Sequence, residues 1–181
     1  MKKRRAVFLD RDGVLNRAVV RDRRPYPPAN VDAVEILPGV ADALRSLKDA
    51  EFVLIVVSNQ PDVARGSTTQ KSVEAINAYL ADHLPLDRFI MCYHDSDDGC
   101  ECRKPRPGML LSGAGEFGVD LGSSYMVGDR WRDVEAGIAA GCKTIFIDYG
   151  YDERRPRACD FRVSSMGEAA SIILRGGHEK N

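Results

Sequence analysis

Short, continuous apolar runs alternate along the chain with stretches of helical periodicity. The runs show no polar alternation, which is typical of strands buried on both faces of a parallel sheet. Between them, apolar residues recur at three- and four-residue spacing, as on the buried face of an amphipathic helix. The predicted strands cover residues 6–9, 52–57, 88–93, 124–127 and 144–147, and the predicted helices cover residues 40–50, 68–84 and 131–141.

Strands and helices of these lengths in alternation predict βαβ units, and hence an α/β fold with a doubly wound parallel sheet. The 181 residues are enough for one domain with a substantial core and too few for two. We predict a single domain over residues 1–175 and a flexible tail at residues 176–181. We interpret the Arg/Pro-rich piece at residues 21–30 as a loop, because its prolines would interrupt a strand ladder.

Composition and charge narrow the classes of partner. The net charge is −1 at pH 7, so no excess of positive charge attracts nucleic acid or an anionic membrane surface. No apolar run approaches the length that crosses a bilayer, and the apolar stretch near the N-terminus ends at Asp10, too early for a signal peptide. We therefore expect a cytoplasmic, monomeric protein that acts on a small molecule.

Polar side chains with chemical capacity follow four of the five predicted strands. In doubly wound sheets, ligands bind beyond the carboxyl ends of the strands, so we expect these side chains to lie along one edge. They are Asp10 and Asp12 after the first strand, Ser58 and Asn59 after the second, Cys92 and His94 after the third, and Asp129 after the fourth.

Asp10 and Asp12 stand close together directly after a buried strand. Two neighbouring carboxylates repel each other, so the pair indicates either a cation site or a solvated turn. If the first and fourth strands are neighbours, Asp10 and Asp129 can share one Mg²⁺, which prefers oxygen ligands. A carboxylate held in this way is a usable nucleophile toward phosphorus, and Asp12 can then serve as general acid and base.

Two further residues suit a phosphoryl group. Ser58 offers a hydroxyl beside backbone N–H groups, and Lys104 offers a positive charge for the phosphoryl oxygens. Taken singly, each has an ordinary alternative as a strand-ending turn or a surface lysine. Together with the cation and the nucleophile, they predict a phosphoryl-transfer site.

Three cysteines and a histidine crowd into the polar segment CYHDSDDGCEC. Three thiolates and one imidazole make a closed tetrahedral set for Zn²⁺, and a site without a vacant position is structural. The alternative, reduced thiols in the core, conflicts with the acidic residues around them. We predict a zinc loop at residues 92–102 that braces Arg103 and Lys104, with Cys92, His94, Cys100 and Cys102 as ligands.

The motifs LDRDGVLN, VVSNQ, RKPRPGM and VGDRWRD, in this order, resemble the four motifs of the haloacid dehalogenase superfamily. The resemblance covers residues 6–148 and implies a Rossmann-like phosphatase domain essentially without a cap. It implies Asp10 as the nucleophile and Asp12 as the acid and base, and it leaves Asp133 open between water-mediated metal ligation and a contact to Arg130 or Lys104. The residues it assigns to phosphate or substrate are Ser58, Asn59, Arg103, Lys104 and Arg130, and those it assigns to Mg²⁺ are Asp10, Asp129 and the backbone carbonyl of Asp12.

Within the superfamily, FLDRDGVLN, CRKPRPGMLL and YMVGDRWRDVEAG are most similar to the heptose 1,7-bisphosphate phosphatases. That similarity implies loss of the C7 phosphate of a sugar bisphosphate through an aspartyl-phosphate. The short zinc loop is nearer to the histidinol-phosphate phosphatase domain, which remains the alternative. A rival of another class is a non-catalytic, zinc-stabilised scaffold that binds phosphate. The segment NQPDVARG departs from the pattern of these relatives at Pro61 and Asp62.

Overall fold

The computed structural model describes residues 3–176, which form eight strands and five α-helices. Three short 3₁₀ turns complete the regular structure at Val31–Ala33, Ser96–Asp98 and Leu121–Ser123. In chain order, the elements are β1 (Arg5–Leu9), β2 (Val19–Arg21), β3 (Arg24–Tyr26), α1 (Val40–Asp49), β4 (Phe52–Asn59), α2 (Gln70–His83), β5 (Arg88–Cys92), α3 (Gly108–Phe117), β6 (Tyr125–Gly128), α4 (Trp131–Ala140), β7 (Lys143–Ile147), β8 (Phe161–Val163) and α5 (Met166–Gly176).

Six of the strands form one parallel sheet in the order β5-β4-β1-β6-β7-β8. Residues 52–57 form a continuous apolar run because both of their faces are buried. Phe52, Leu54 and Val56 belong to a core with α1, α2 and α5, and the alternate residues belong to a second core with α3 and α4. The predicted doubly wound α/β fold is therefore confirmed. None of the described helices is long and apolar enough to cross a membrane.

The three predicted helices are present with small changes at their ends. Thr69 caps α2, since its hydroxyl accepts a hydrogen bond from the Ser72 N–H at 3.1 Å. Gly141 ends α4 in the left-handed conformation, with a φ of 83°. The sequence analysis missed α3, whose glycines lower its helix propensity. One of them, Gly113, lets the helix approach the sheet, because a Cβ there would lie 3.1 Å from Phe8.

One expectation about loops was wrong. The Arg/Pro-rich piece is not all loop: β2 and β3 form a separate antiparallel hairpin in which Pro25 lies opposite Val20. A two-stranded hairpin has only edge strands, and an edge strand tolerates proline. At the other end, α5 extends to Gly176, and the other residues of the predicted tail, 177–181, lie outside the described residues.

Candidate active site

The direction in which successive strands are added to the sheet reverses between β1 and β6. β4 and β5 extend the sheet on one side of β1, and β6, β7 and β8 extend it on the other. The crevice beyond the carboxyl ends at such a switch point is where ligands bind. A cavity of about 450 Å³ opens there, and its walls hold every residue predicted for catalysis, phosphate binding or Mg²⁺: Asp10, Asp12, Ser58, Asn59, Arg103, Lys104, Asp129 and Arg130.

Three buried carboxylates converge at the bottom of this cavity. Asp10, Asp129 and Asp133 each place an oxygen within 4.8 Å of the others. Both oxygens of Asp129 are buried and accept no hydrogen bond of normal geometry from residues 3–176, although the nearby Tyr151 hydroxyl interacts with this carboxylate and lowers its pKa. Gly13 makes room for this carboxylate: its φ is +89°, and a Cβ there would lie 2.0 Å from Asp129 Oδ2. Unpartnered carboxylate oxygens of this kind fit a hard cation such as Mg²⁺.

The pKa values of two of these carboxyl groups are raised by burial and by their mutual repulsion. Burial raises the pKa of Asp10 to about 6, and the charges of Asp133 and Asp12 add to the shift, whereas Lys104 opposes it. Burial also holds the pKa of Asp129 well above its usual range, with Asp10 and Asp133 adding to the effect. A bound cation would favour the ionised form of both groups.

Lys104 places a positive charge directly beside Asp10. Its Nζ lies 3.0 Å from Asp10 Oδ1 and 2.7 Å from Asp133 Oδ1, and it donates to the Val57 carbonyl at 2.6 Å. Burial alone would lower the pKa of Lys104, but Asp10 and Asp133 outweigh it and raise that pKa. The side chain is therefore held as an ammonium beside Asp10.

Asp133 fixes two parts of the site at once. One of its oxygens pairs with Lys104, and the other accepts a hydrogen bond from the Arg130 backbone N–H at 3.0 Å. Gly128 allows this close approach, since a Cβ there would lie 2.1 Å from the Asp133 Cβ. Of the possibilities left open by the sequence, these contacts favour a carboxylate that holds Lys104 and the start of α4.

The residues after β4 organise the phosphate side of the cavity. Asn59 does not point freely into the cavity, because its amide exchanges two hydrogen bonds of 3.0 Å with the backbone of Lys104. Gln60, which motif analysis quoted but did not assign, donates to Ser58 Oγ at 3.0 Å and to Asp12 Oδ2 at 2.9 Å. Gln60 therefore links the predicted phosphate-binding hydroxyl to the predicted acid and base.

The arginines around the cavity differ in how they are held. Arg130 forms a two-pronged ion pair with Glu153, so its guanidinium is already engaged. Among the described residues, the Arg103 guanidinium donates only to the His94 carbonyl, at 3.2 Å. Arg132, which the sequence analysis did not single out, lines the cavity and forms no ion pair with any residue in the described part of the chain. The cationic groups that are free to bind an anion are thus those of Arg103 and Arg132, not that of Arg130.

The four predicted zinc ligands also come together. The sulfurs of Cys92, Cys100 and Cys102 lie 3.1 to 3.7 Å apart, and His94 Nδ1 lies 3.3 Å from Cys102 Sγ and 3.6 Å from Cys92 Sγ. Tetrahedral ligands around one Zn²⁺ with Zn–S bonds of about 2.3 Å have sulfurs about 3.8 Å apart, so the spacing suits a metal. All three cysteines are free thiols, not disulfides.

The predicted zinc loop is tied directly to the segment that carries Lys104. Arg106 Nη1 donates to the carbonyls of Gly99 and Cys100 at 2.8 and 2.5 Å, and the Gly108 N–H donates to the Glu101 carbonyl at 3.2 Å. A Cβ at Gly108 would lie only 2.3 Å from that carbonyl oxygen. The loop and the start of α3 therefore fix residues 103–107 from both sides.

Comparison with known proteins agrees with this geometry. A family model described as HAD-hydrolase-like matches residues 101–165. A D-glycero-β-D-manno-heptose-1,7-bisphosphate 7-phosphatase from Escherichia coli strain K12 is 39% identical over 94% of this chain and 94% of its own length. The enzyme of the same name from Salmonella typhi is 35% identical over 94% of this chain and 95% of its own. The chain belongs to this family of heptose bisphosphate phosphatases.

Solved structures support the same membership. A D,D-heptose 1,7-bisphosphate phosphatase from B. bronchiseptica, in complex with magnesium and phosphate, superimposes with a TM-score of 0.77 at 30% identity, covering 95% of this chain and 99% of the other. A putative HAD-like phosphatase from Mesorhizobium loti gives 0.78 at 27% identity, covering 99% and 90%. The heptose bisphosphate phosphatase family thus confirms the expected superfamily, fold and enzyme class, a phosphoric monoester hydrolase.

Proposed function

We propose that this protein is a Mg²⁺-dependent phosphatase that removes the C7 phosphate of D-glycero-β-D-manno-heptose 1,7-bisphosphate. The observation that carries the proposal is the buried Asp10–Lys104–Asp133 chain next to the unpartnered Asp129 oxygens, at the floor of one cavity. The names of the relatives support the substrate, the anomer and the position of the phosphate that leaves.

The reaction would proceed in two steps. In the first, a carboxylate oxygen of Asp10 attacks phosphorus, the bond between phosphorus and the C7 oxygen breaks, and Asp12 gives its proton to that oxygen. In the second, Asp12 takes a proton from a water molecule, which attacks phosphorus and releases inorganic phosphate from Asp10. The proton therefore returns to Asp12, and the carboxylate of Asp10 is regenerated.

The other residues of the cavity bind and orient the phosphoryl group. Lys104 neutralises charge on its oxygens, and the Ser58 hydroxyl, held by Gln60, donates a hydrogen bond to it. Mg²⁺ would be held by Asp10, Asp129 and the backbone carbonyl of Asp12, and when bound it would supply Lewis-acid charge to the same oxygens. The fit rests on the orphaned Asp129 oxygens.

The second phosphate of the substrate favours a bisphosphate over histidinol phosphate. The outer walls of the cavity include Arg24, Arg65, Arg103 and Arg132, together with Asp62, Asp152 and Glu153. Arg65 is engaged by Asp95 at 2.7 Å, and Glu153 is engaged by Arg130. Arg24, Arg103 and Arg132 form no ion pair among the described residues and are available to an anion. Guanidinium groups attract a phosphate and repel the protonated amine of histidinol phosphate. A substrate with an anionic far end therefore suits these walls.

We further propose that Cys92, His94, Cys100 and Cys102 hold a structural Zn²⁺. Burial raises the pKa of the Cys92 thiol to about 12, so a metal is needed to keep it as a thiolate near pH 7. The zinc would brace the loop at residues 92–102, which leads directly into Arg103 and Lys104. It would take no part in the chemistry.

The first experiment is phosphate release in the presence of Mg²⁺, with both anomers of heptose 1,7-bisphosphate compared with histidinol phosphate. We expect kcat/KM for the β-anomer to exceed that for histidinol phosphate by about 10²-fold or more. Asp10→Asn should abolish turnover because the amide is not a nucleophile, whereas Asp32→Asn, at an exposed and distant carboxylate, should leave it unchanged. Preference for histidinol phosphate would overturn the substrate, and absence of turnover with all three substrates would favour the non-catalytic scaffold.

A further inference from the structure

Arg11 is a charged residue that the proposed mechanism does not use. It lies between Asp10 and Asp12 in the sequence, yet it is 0% exposed. It is the largest fully buried residue among those described. Its side chain does not line the active-site cavity. A guanidinium buried to this degree must be paired and hydrogen-bonded to be tolerated, so its partners indicate its role.

Two of the three side-chain hydrogen bonds of Arg11 among the described residues go to Asp12. Nε donates to Asp12 Oδ1 at 3.2 Å, and Nη2 donates to Asp12 Oδ2 at 3.1 Å, a two-pronged grip on one carboxylate. The remaining contact, from Nη1 to Asn77 Oδ1 at 3.0 Å, anchors the guanidinium to α2. Asn77 is itself buried on that helix. A guanidinium that binds both carboxylate oxygens and is itself anchored by Asn77 fixes the plane of the Asp12 carboxylate as well as its position.

Two other amides complete the surroundings of Asp12. Asn16 Nδ2 donates to Oδ1 at 2.9 Å, and Gln60 Nε2 donates to Oδ2 at 2.9 Å. In its ionised form, the carboxylate thus accepts four hydrogen bonds from the described residues, two on each oxygen. Among these donors only Arg11 bonds to both oxygens, so it is the group that sets their orientation.

We propose that Arg11 is a positioning residue that acts through Asp12, with Asn77 as its anchor. The inference rests on the proposed function, in which Asp12 carries the proton in both steps. A buried ion pair adds little net stability compared with apolar residues of the same volume, so stability alone does not account for this arginine. A displacement of about 1 Å in a catalytic group, in contrast, can reduce the rate about 10²-fold.

The first test separates turnover from binding. Arg11→Lys keeps the positive charge and loses the fork, and Asn77→Leu keeps Arg11 and removes its anchor. With Mg²⁺ and the heptose bisphosphate, we expect kcat to fall about 10²-fold in Arg11→Lys and about 10-fold in Asn77→Leu, with KM within about threefold of wild type. A change in KM at constant kcat would overturn the proposal.

The second test uses p-nitrophenyl phosphate, whose leaving group departs without a proton. Formation of the phospho-enzyme should then proceed in Arg11→Lys within about threefold of the wild-type rate, while its hydrolysis, which needs Asp12 as a base, slows about 10²-fold. The expected signature is a burst of nitrophenol equal to the enzyme concentration, followed by a slow steady state. Equal loss in both phases would mean that Arg11 has only a structural role.

Two controls complete the design. Ser124→Ala removes a buried hydroxyl that bonds the Ala6 N–H at 2.9 Å, far from the cavity, and should lower thermal stability without changing the burst. In an Asp12→Asn background, Arg11→Lys should cause no further loss, because a residue that acts through Asp12 has nothing left to orient. Additive losses would contradict the proposal. If wild type hydrolyses p-nitrophenyl phosphate but not the heptose bisphosphate, the proposed substrate fails while the nitrophenol experiment still tests Arg11.

Discussion

Arg132 occupies a position that is unfavourable for a cation. It is the second residue of α4, where the helix dipole favours negative charge, and it is only partly exposed. Burial lowers the pKa of its guanidinium, and the neighbouring charges of Arg130 and Arg103 lower it further. No ion pair involving a residue of the described chain compensates it. An anion bound between Arg103 and Arg132 would offset this unfavourable charge.

The residue-scale prediction concerns the second phosphate of the substrate. Arg132→Gln should raise KM for the heptose bisphosphate about 10-fold, which corresponds to about 1.4 kcal/mol of binding free energy, and should leave kcat within about twofold. Removal of a like charge next to Arg130 should also raise the melting temperature.

The control substrate is the corresponding heptose 7-phosphate, which lacks the second phosphate and should show the same KM in the variant as in wild type. Arg45→Gln, an exposed arginine on α1, serves as the matched control. Equal losses on both substrates would place Arg132 against the reacting phosphate instead.

At the same scale, the sequence predicted which chemical groups gather but not which contacts they make. Asp10, Asp129 and Lys104 were predicted because each follows a recognisable strand or motif. Arg11 and Gln60 carry no signal of their own beyond their place inside a motif, since their roles depend on partners that are distant along the chain. Asn77, for example, lies 66 residues from Arg11.

The predicted zinc loop is the element whose contribution to activity can be measured most directly, because the metal can be removed. Its four ligands are joined by a short 3₁₀ turn, and its last ligand directly precedes Arg103. Loop residues that hold metal gain their order from binding, because no core of their own supports them. The proposed zinc would therefore order the loop, and through the loop it would position Lys104.

Removal of zinc should reduce activity without unfolding the domain. After treatment with a zinc-selective chelator and restoration of Mg²⁺, we expect kcat/KM to fall about 10-fold or more, and proteolysis within residues 92–107 to precede global unfolding. Added Zn²⁺ should restore both. Metal analysis should find one zinc per chain in wild type and in Cys159→Ser, whose cysteine is outside the cluster, and none in Cys100→Ser. Full activity in a zinc-free protein would contradict this role.

At the element scale, burial explains what was predictable. Strands buried on both faces, such as β4, carry a signal in every residue, whereas α3 is glycine-rich because Gly108 and Gly113 must approach other parts of the fold closely. The sequence analysis also missed the β2–β3 hairpin, because its turn lacks the usual residues. Its two-residue turn places Asp22 and Arg23 at positive φ, 50° and 59°, with neither asparagine nor glycine to indicate it.

For the molecule as a whole, the sheet concentrates negative charge at one edge. Asp10, Asp129 and Asp133 are all buried there, and Lys104 is the only positive charge that pairs with any of them among the described residues. The domain thus folds around carboxylates that are not fully compensated. A cation at this edge should stabilise the entire fold, because binding to the native state shifts the unfolding equilibrium.

Asp129→Asn should therefore separate stability from function. Without Mg²⁺, the variant should melt several degrees above wild type, since the amide removes a buried charge whose pKa is raised by burial and by Asp10. With Mg²⁺ at about 100 times its dissociation constant, wild type should gain about 2.7 kcal/mol and the variant little, while the variant loses turnover. Scanning calorimetry with and without Mg²⁺ measures both stability effects, and phosphate release measures turnover. Asp120→Asn, outside the cavity, should respond to Mg²⁺ as wild type does. An equal Mg²⁺ response in Asp129→Asn would show that Asp129 does not hold the cation.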